Sequence, residues 1–242
     1  MPLPKIATPT YELELPSSGK TIKYRPFLVK EEKILILALE SQDVKQITLA
    51  IKSVLKDCIL TKGIKVEDLP SFDIEYIFLN IRAKSVSESI ELIITCFDDG
   101  TTEVPVKIFV DEIQVQKDSE HTTEIKVDNE IVIKMKYPSL DQFIKNNFDF
   151  SSQESMSTIE KSFDIISSCI ESIFTAEDSW AAADCTKKEL IEFIESMNTE
   201  QFKKIEKFFE TMPKLSHTFE VTNPNTKVKN TVTLEGLTSF FA

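Results

Sequence analysis

The chain opens on strict alternation. Residues 10–15 and 21–24 place apolar and polar side chains by turns on either side of Pro16-Ser17-Ser18-Gly19-Lys20, a pattern that predicts a β-hairpin. The period then lengthens to that of a helix. Residues 30–40 carry Ile34, Leu35, Leu37 and Ala38, and residues 43–60 carry Val44, Ile47, Leu49, Ile51, Val54, Leu55 and Cys58, so two helices with core-facing stripes are expected. Gly63 stops the second. Ser71 is the expected N-cap of a third helix, to about residue 86, with Phe72, Tyr76, Leu79 and Ala83 along one side.

Beyond residue 90 the pattern returns to strands, at 91–97, 102–110, 122–127 and 131–137. All are rich in β-branched residues, and Asp98-Asp99-Gly100 and Asp128-Asn129 mark the turns of two hairpins. A short helix is expected at 140–146. The polar run Ser151-Ser152-Gln153-Glu154 then suggests a boundary between a mixed α+β domain, 1–150, and a mostly helical domain with a terminal β-hairpin, 151–242. In the second part Ile159, Phe163, Ile166, Ile170 and Ile173 recur every three or four residues, which reads as one helical stripe. Capping-box pairs occur at Ser151 with Glu154 and at Thr186 with Glu189, the latter ahead of Leu190, Phe193, Ile194 and Met197. Asn198 is placed to cap a further helix bearing Phe202, Ile205, Phe208, Phe209 and Met212. Pro213 ends that helix, two strands follow at 215–221 and 228–234, and Gly236 leads into an apolar tail. The expected class is α+β: an N-terminal hairpin, three helices and antiparallel hairpins, then a mostly helical part ending in a hairpin.

Charge narrows the function classes. Forty acidic against 28 basic side chains give a formal charge of −12, and both halves are acidic. The nearest basic cluster, Lys203, Lys204 and Lys207, is interleaved with Glu200, Glu206 and Glu210, a solvated face of mixed sign rather than a phosphate-binding surface. No nucleic-acid partner is expected. No apolar run reaches the roughly 20 residues that span a bilayer, and the N-terminus lacks an apolar run of signal-peptide length, so the expected location is the cytoplasm. The four cysteines, Cys58, Cys96, Cys169 and Cys185, form no close pair and read as free thiols.

Catalytic and cofactor patterns are weak. With four glycines in all there is no phosphate-cradling loop or dinucleotide fingerprint, and no Cys-x-x-Cys or His-x-x-x-His spacing offers a metal site. His121 and His217 stand outside any motif. Asp98-Asp99 and Glu31-Glu32 suit a hairpin tip and a helix first turn better than paired acid–base chemistry. No enzyme activity, cofactor or metal is expected.

The element from Ile94 through Gly100 to Val106 has a rough counterpart from Thr218 to Val232. In a zinc ribbon such tips carry Cys-x-x-Cys knuckles, so Cys96-Phe97-Asp98-Asp99 reads either as a degenerate knuckle retaining one thiol or as part of an ordinary hairpin. Spacing alone favours the ordinary hairpin. Neither reading leaves a zinc site.

Three segments carry a family resemblance: Tyr24-Arg25-Pro26-Phe27-Leu28-Val29-Lys30-Glu31-Glu32-Lys33-Ile34-Leu35, Met135-Lys136-Tyr137-Pro138-Ser139, and Leu234-Glu235-Gly236-Leu237-Thr238-Ser239-Phe240-Phe241. In this order they resemble the baseplate hub assembly proteins of T-even-type contractile-tailed bacteriophages. The resemblance implies a non-enzymatic, chaperone-like factor that helps build the baseplate hub in the host cytoplasm. Its closest alternative is a permanent hub subunit of the virion tail. It also implies Cys pairs at hairpin tips in some relatives, a pattern from which Cys96 and Asn223 depart. Partner contacts with phage hub proteins are expected from residues whose apolar or charged character a core does not require: Arg25, Phe27 and Leu28 after the first hairpin, and Leu237, Phe240 and Phe241 at the terminus.

Overall fold

A computed structural model describes residues 6–41, 43–139 and 158–236. The strands are β1 (Tyr11–Glu14), β2 (Thr21–Tyr24), β3 (Ser89–Thr95), β4 (Glu103–Phe109), β5 (Gln114–Gln116), β6 (Glu124–Lys126), β7 (Val132–Met135), β8 (Ile170–Phe174), β9 (Ser179–Ala181), β10 (Lys214–Thr222) and β11 (Lys229–Glu235). The helices are α1 (Val29–Glu40), α2 (Val44–Cys58), α3 (Ser71–Ser85), α4 (Thr158–Cys169), α5 (Lys187–Glu195) and α6 (Thr199–Thr211). The class is α+β, as the patterning predicts, and every paired strand is antiparallel.

The described residues fall into two compact units. The first gathers residues from 1–66, 72–116 and 214–242; the second takes 67–71 and 117–213. The expected boundary at 150/151 lies outside the described residues, as do the expected helix at 140–146 and the Ser151 capping box. The terminal hairpin is a correction to the expected division. It joins the first unit because β10 pairs with β5, placing Leu215 opposite Val115, a pairing between segments about a hundred residues apart.

In the first unit α3 is the central helix. Phe72, Ile74, Ile77, Phe78, Leu79 and Ile81 are all buried, which requires apolar neighbours around most of its circumference. The β1–β2 turn is tied to its first turn, where buried Asp73 accepts hydrogen bonds from the Ser17 amide (3.0 Å) and hydroxyl. Leu79 and Ala83 pack with Ile90, Leu92, Ile108 and Leu215 of the strands.

The second unit packs α4, α5 and α6 with the sheet β6-β7-β8-β9. The expected capping box of α5 and the expected Asn198 cap of α6 are present: Thr186 Oγ1 accepts from the Glu189 amide at 3.3 Å, and Asn198 Oδ1 from the Gln201 amide at 2.9 Å. The single stripe from Ile159 to Ile173 is a correction. The helix stops at Cys169 and the chain continues as β8. Ile173 pairs with Ile133 and Ser172 with Lys134, but Met135 pairs with Ile170, so Glu171 is an extra residue in a β-bulge. The bulge returns Ile170 and Ile173 to the same buried face. A spacing of three thus arises in a strand, where two would be the rule.

The three-residue strands β5 and β9 have no counterpart in the expected elements, being too short to establish a period. Ile133, fully buried at the centre of the second unit's core, should cost roughly 2–5 kcal/mol when replaced by alanine. Half-exposed Trp180 on β9 should cost much less. Urea unfolding followed through the second unit checks the order of the two effects.

Candidate functional site

Residues 24–31 form the junction of the first unit. The Tyr24–Ile59 bridge and the Arg25 amide, which donates to the Cys58 carbonyl at 3.0 Å, fasten the end of α2 to β2. The Phe27 amide donates to Ser85 Oγ at 2.9 Å, adding the end of α3. The Arg25 guanidinium donates to the Pro26 carbonyl (2.9 Å), lies 3.6 Å from Cys58 Sγ and pairs with Glu31 Oε1 at 3.0 Å. Glu31 is fully buried although it lies in a helix first turn. Its second oxygen accepts from the Leu28 amide at 2.6 Å, which caps α1. Burial pushes the Glu31 carboxyl up, but Arg25, the Leu28 amide and Lys30 outweigh it and hold the group below its ordinary range. Burial pushes the Cys58 thiol up to about 11, so it stays protonated.

The expected contact residues therefore divide. Arg25 sits in an internal ion pair, Phe27 is half-buried, Leu28 is exposed, and Leu237, Phe240 and Phe241 lie outside the described residues. What the patterning missed lies on α1 itself. Ile34 and Leu37, expected to face the core, are exposed, as are Ile36 and Leu39; Ala38 is the helix's only fully buried apolar residue.

A second constellation joins the tips of hairpins β3–β4 and β10–β11. The turns share a spacing: Cys96 and Asp99 are followed by Gly100 at φ +66°, and Asn223 and Thr226 by Lys227 at φ +65°. In each, the positive-φ residue donates its amide to the carbonyl four residues back, at 2.9 Å. Asn223, fully buried, donates Nδ2 to Asp98 (3.1 Å to either oxygen) and to Asp99 Oδ2 (3.0 Å). Asn230 Nδ2 donates to Asp98 Oδ1 at 2.8 Å while its own Oδ1 accepts the Asp98 amide at 3.1 Å. Thr226 also donates to Asp98, and Cys96 lies beneath, packed with Val221 and Val232.

These turns share the knuckle-like spacing seen in the sequence, but Cys96 is the only thiol among them, and hydrogen bonds draw the tips together. Among the described residues no group of three or more His, Cys, Asp and Glu side chains is arranged to hold a metal ion. Hydrogen bonds from Thr226 and Asn223 lower the Asp98 pKa, and those from Thr102 and Asn223 lower that of Asp99.

Each histidine makes side-chain hydrogen-bond contacts within its own unit. In the second unit, His121 Nδ1 lies 2.9 Å from Thr211 Oγ1 and Nε2 lies 3.0 Å from the Tyr137 hydroxyl. Thr211 gives its own proton to the Lys207 carbonyl, so Nδ1–H donates and Nε2 accepts. Burial lowers the His121 pKa and favours the neutral ring, which packs against both Tyr137 and Phe208. In the first unit, His217 Nδ1 lies 3.2 Å from the Glu112 carbonyl.

Three predictions test these assignments. Arg25→Met should destabilise the first unit by roughly 3–5 kcal/mol, because it strands a buried carboxylate. Leu28→Ser should stay within about 0.5 kcal/mol of the parent; comparing the two denaturation midpoints decides it. At the tips, Asn223→Ala should open Cys96 to a thiol reagent, in addition to partly exposed Cys185; unchanged labelling would show that the network does not close the tips. Because the folded Asp98 and Asp99 values are lowered, their stabilisation is complete above the unfolded value near pH 4 and is lost as pH falls through the lower folded values. An NMR titration of the Asn223 amide signals follows it.

Among the described residues no helix is long and apolar enough to cross a membrane. Comparison with curated proteins and with solved structures returns no significant match. A family model described as T4 bacteriophage base plate protein matches residues 8–242, which bears out the family resemblance. The chain belongs to the T4-type bacteriophage baseplate protein family.

Proposed function

We propose that the chain is a non-enzymatic assembly factor for the central hub of the tail baseplate, acting in the host cytoplasm by holding hub proteins in an assembly-competent state. Family membership over nearly the whole chain carries this reading. The surface chemistry supports it. In the first unit Phe97 at a hairpin tip is 73% exposed and Ile93 on β3 is 68% exposed; Leu28, one of the contact residues expected from sequence, is exposed as well. Apolar side chains so placed contribute little to their own unit and suit a protein partner. An acidic surface keeps a free factor soluble and favours basic faces on the hub proteins it meets. Leu28, Phe27 and the terminal Leu237, Phe240 and Phe241 are the contact residues of this reading; Arg25 supports Phe27 and Leu28 by fixing the junction.

A permanent place in the virion baseplate is the second reading, favoured by the family's description as a base plate protein. The two part on stoichiometry. A tagged chain purified from infected cells should bring down hub proteins while purified particles lack it; stoichiometric presence in particles would replace the assembly factor with a structural subunit. Phe240→Ser/Phe241→Ser should reduce hub-protein recovery with the circular dichroism spectrum unchanged.

A further inference from the structure

The outward face of α1 is built to meet itself. Glu31 and Ala38 are the helix's fully buried residues and define its inward face. Opposite them, Val29, Lys33, Ile36, Leu37 and Glu40 fall on one stripe at spacings of three and four, and all five are exposed, Ile36 by 49% and Leu37 by 55%. An exposed helix face normally carries its charges along its whole length. Here Ile36 and Leu37 hold the centre, with a cation one turn before them and an anion one turn after.

That order is self-complementary. A two-fold axis passing between Ile36 and Leu37 sets Ile36 of one copy against Leu37 of the other, and brings each Lys33 opposite the other copy's Glu40. The symmetry is that of an isologous interface, in which one patch serves both partners. Neither Lys33 nor Glu40 makes an ion pair or hydrogen bond among the described residues, so both heads are available. A heterologous partner would have to reproduce the same reversed charge order; a second copy possesses it.

We propose that the chain forms a two-fold homodimer through antiparallel packing of α1 on α1, centred on Ile36 and Leu37 and oriented by reciprocal Lys33–Glu40 pairs. The interface needs only this chain and stands independently of the hub reading.

Sedimentation of the purified full chain, alone, tests it. The parent should show a concentration-dependent monomer–dimer equilibrium, and Leu37→Asp, at an exposed position, should sediment as a folded monomer. Lys33→Glu or Glu40→Lys alone sets like charges opposite one another twice per dimer and should weaken association roughly tenfold. The double reversal Lys33→Glu/Glu40→Lys restores opposite pairs and should recover most of the loss. A parent that stays monomeric at every attainable concentration overturns the proposal, as does a double reversal no tighter than the single ones. Unchanged hub-protein recovery by a monomeric Leu37→Asp chain would separate the dimer from the assembly role.

Discussion

The rotation of α1 about its own axis is set by one buried carboxylate. Glu31 is drawn inward by the Arg25 guanidinium at 3.0 Å and by the Leu28 amide at 2.6 Å. A charged side chain is stable there only while those partners remain. Once position 31 faces in, positions 35 and 38 follow it by helical geometry, and Ile36 and Leu37 must point out. A helix that is apolar around much of its surface has several ways of burying itself. The ion pair removes that choice and spends the burial on Ala38 and part of Leu35. The Arg25-Pro26-Phe27 segment that carries the family resemblance is therefore also a structural junction.

Where periodicity and geometry agree, the elements were legible. The first hairpin, α2, α3, the strands β3, β4, β10 and β11 of the first unit and both capped helices of the second lie close to the positions their patterns predict. The failures share a cause: pattern reading assigns apolar side chains inward and assumes one period per element. In α1 it reads Ile34 and Leu37 as core because it does not weigh a buried Glu31. At Ile170 and Ile173 it reads a spacing of three as helix because a bulge is invisible until the partner strand is known. The pairing of β10 with β5 was likewise out of reach, since no local pattern names a partner so far along the chain.

The hairpin tips show how the same turn geometry can be held without a metal. Four thiolates on a zinc ion close a ribbon through a few strong bonds that are lost together when the metal leaves. Here Asn223, Asn230 and Thr226 distribute the closure over several hydrogen bonds to two carboxylates, each of modest net worth. Asn223 and Asn230 are buried, so the cost of leaving them unpaired holds the tips together as much as the bonds themselves. The turn at Asp98-Asp99-Gly100 and the knuckle-like spacing of Cys96-Phe97-Asp98-Asp99 are what the sequence showed; the matching turn at Lys227, with φ +65° in a residue other than glycine, was not legible there. The closure by amide donors became readable only once Asn223 was seen to face Asp98 and Asp99.

A net charge of −12 sets two copies against each other at long range. Distance decides how much it matters. At physiological ionic strength the Debye length is about 8 Å, so charges far from a contact contribute little and those within one helical turn of it dominate. Along the α1 stripe the immediate neighbours of the apolar centre are one cation and one anion, which leaves the contact locally neutral although the molecule is not. The same charge that keeps separate molecules apart elsewhere then restricts close approach to the few places where the signs are balanced, and α1 is one of them.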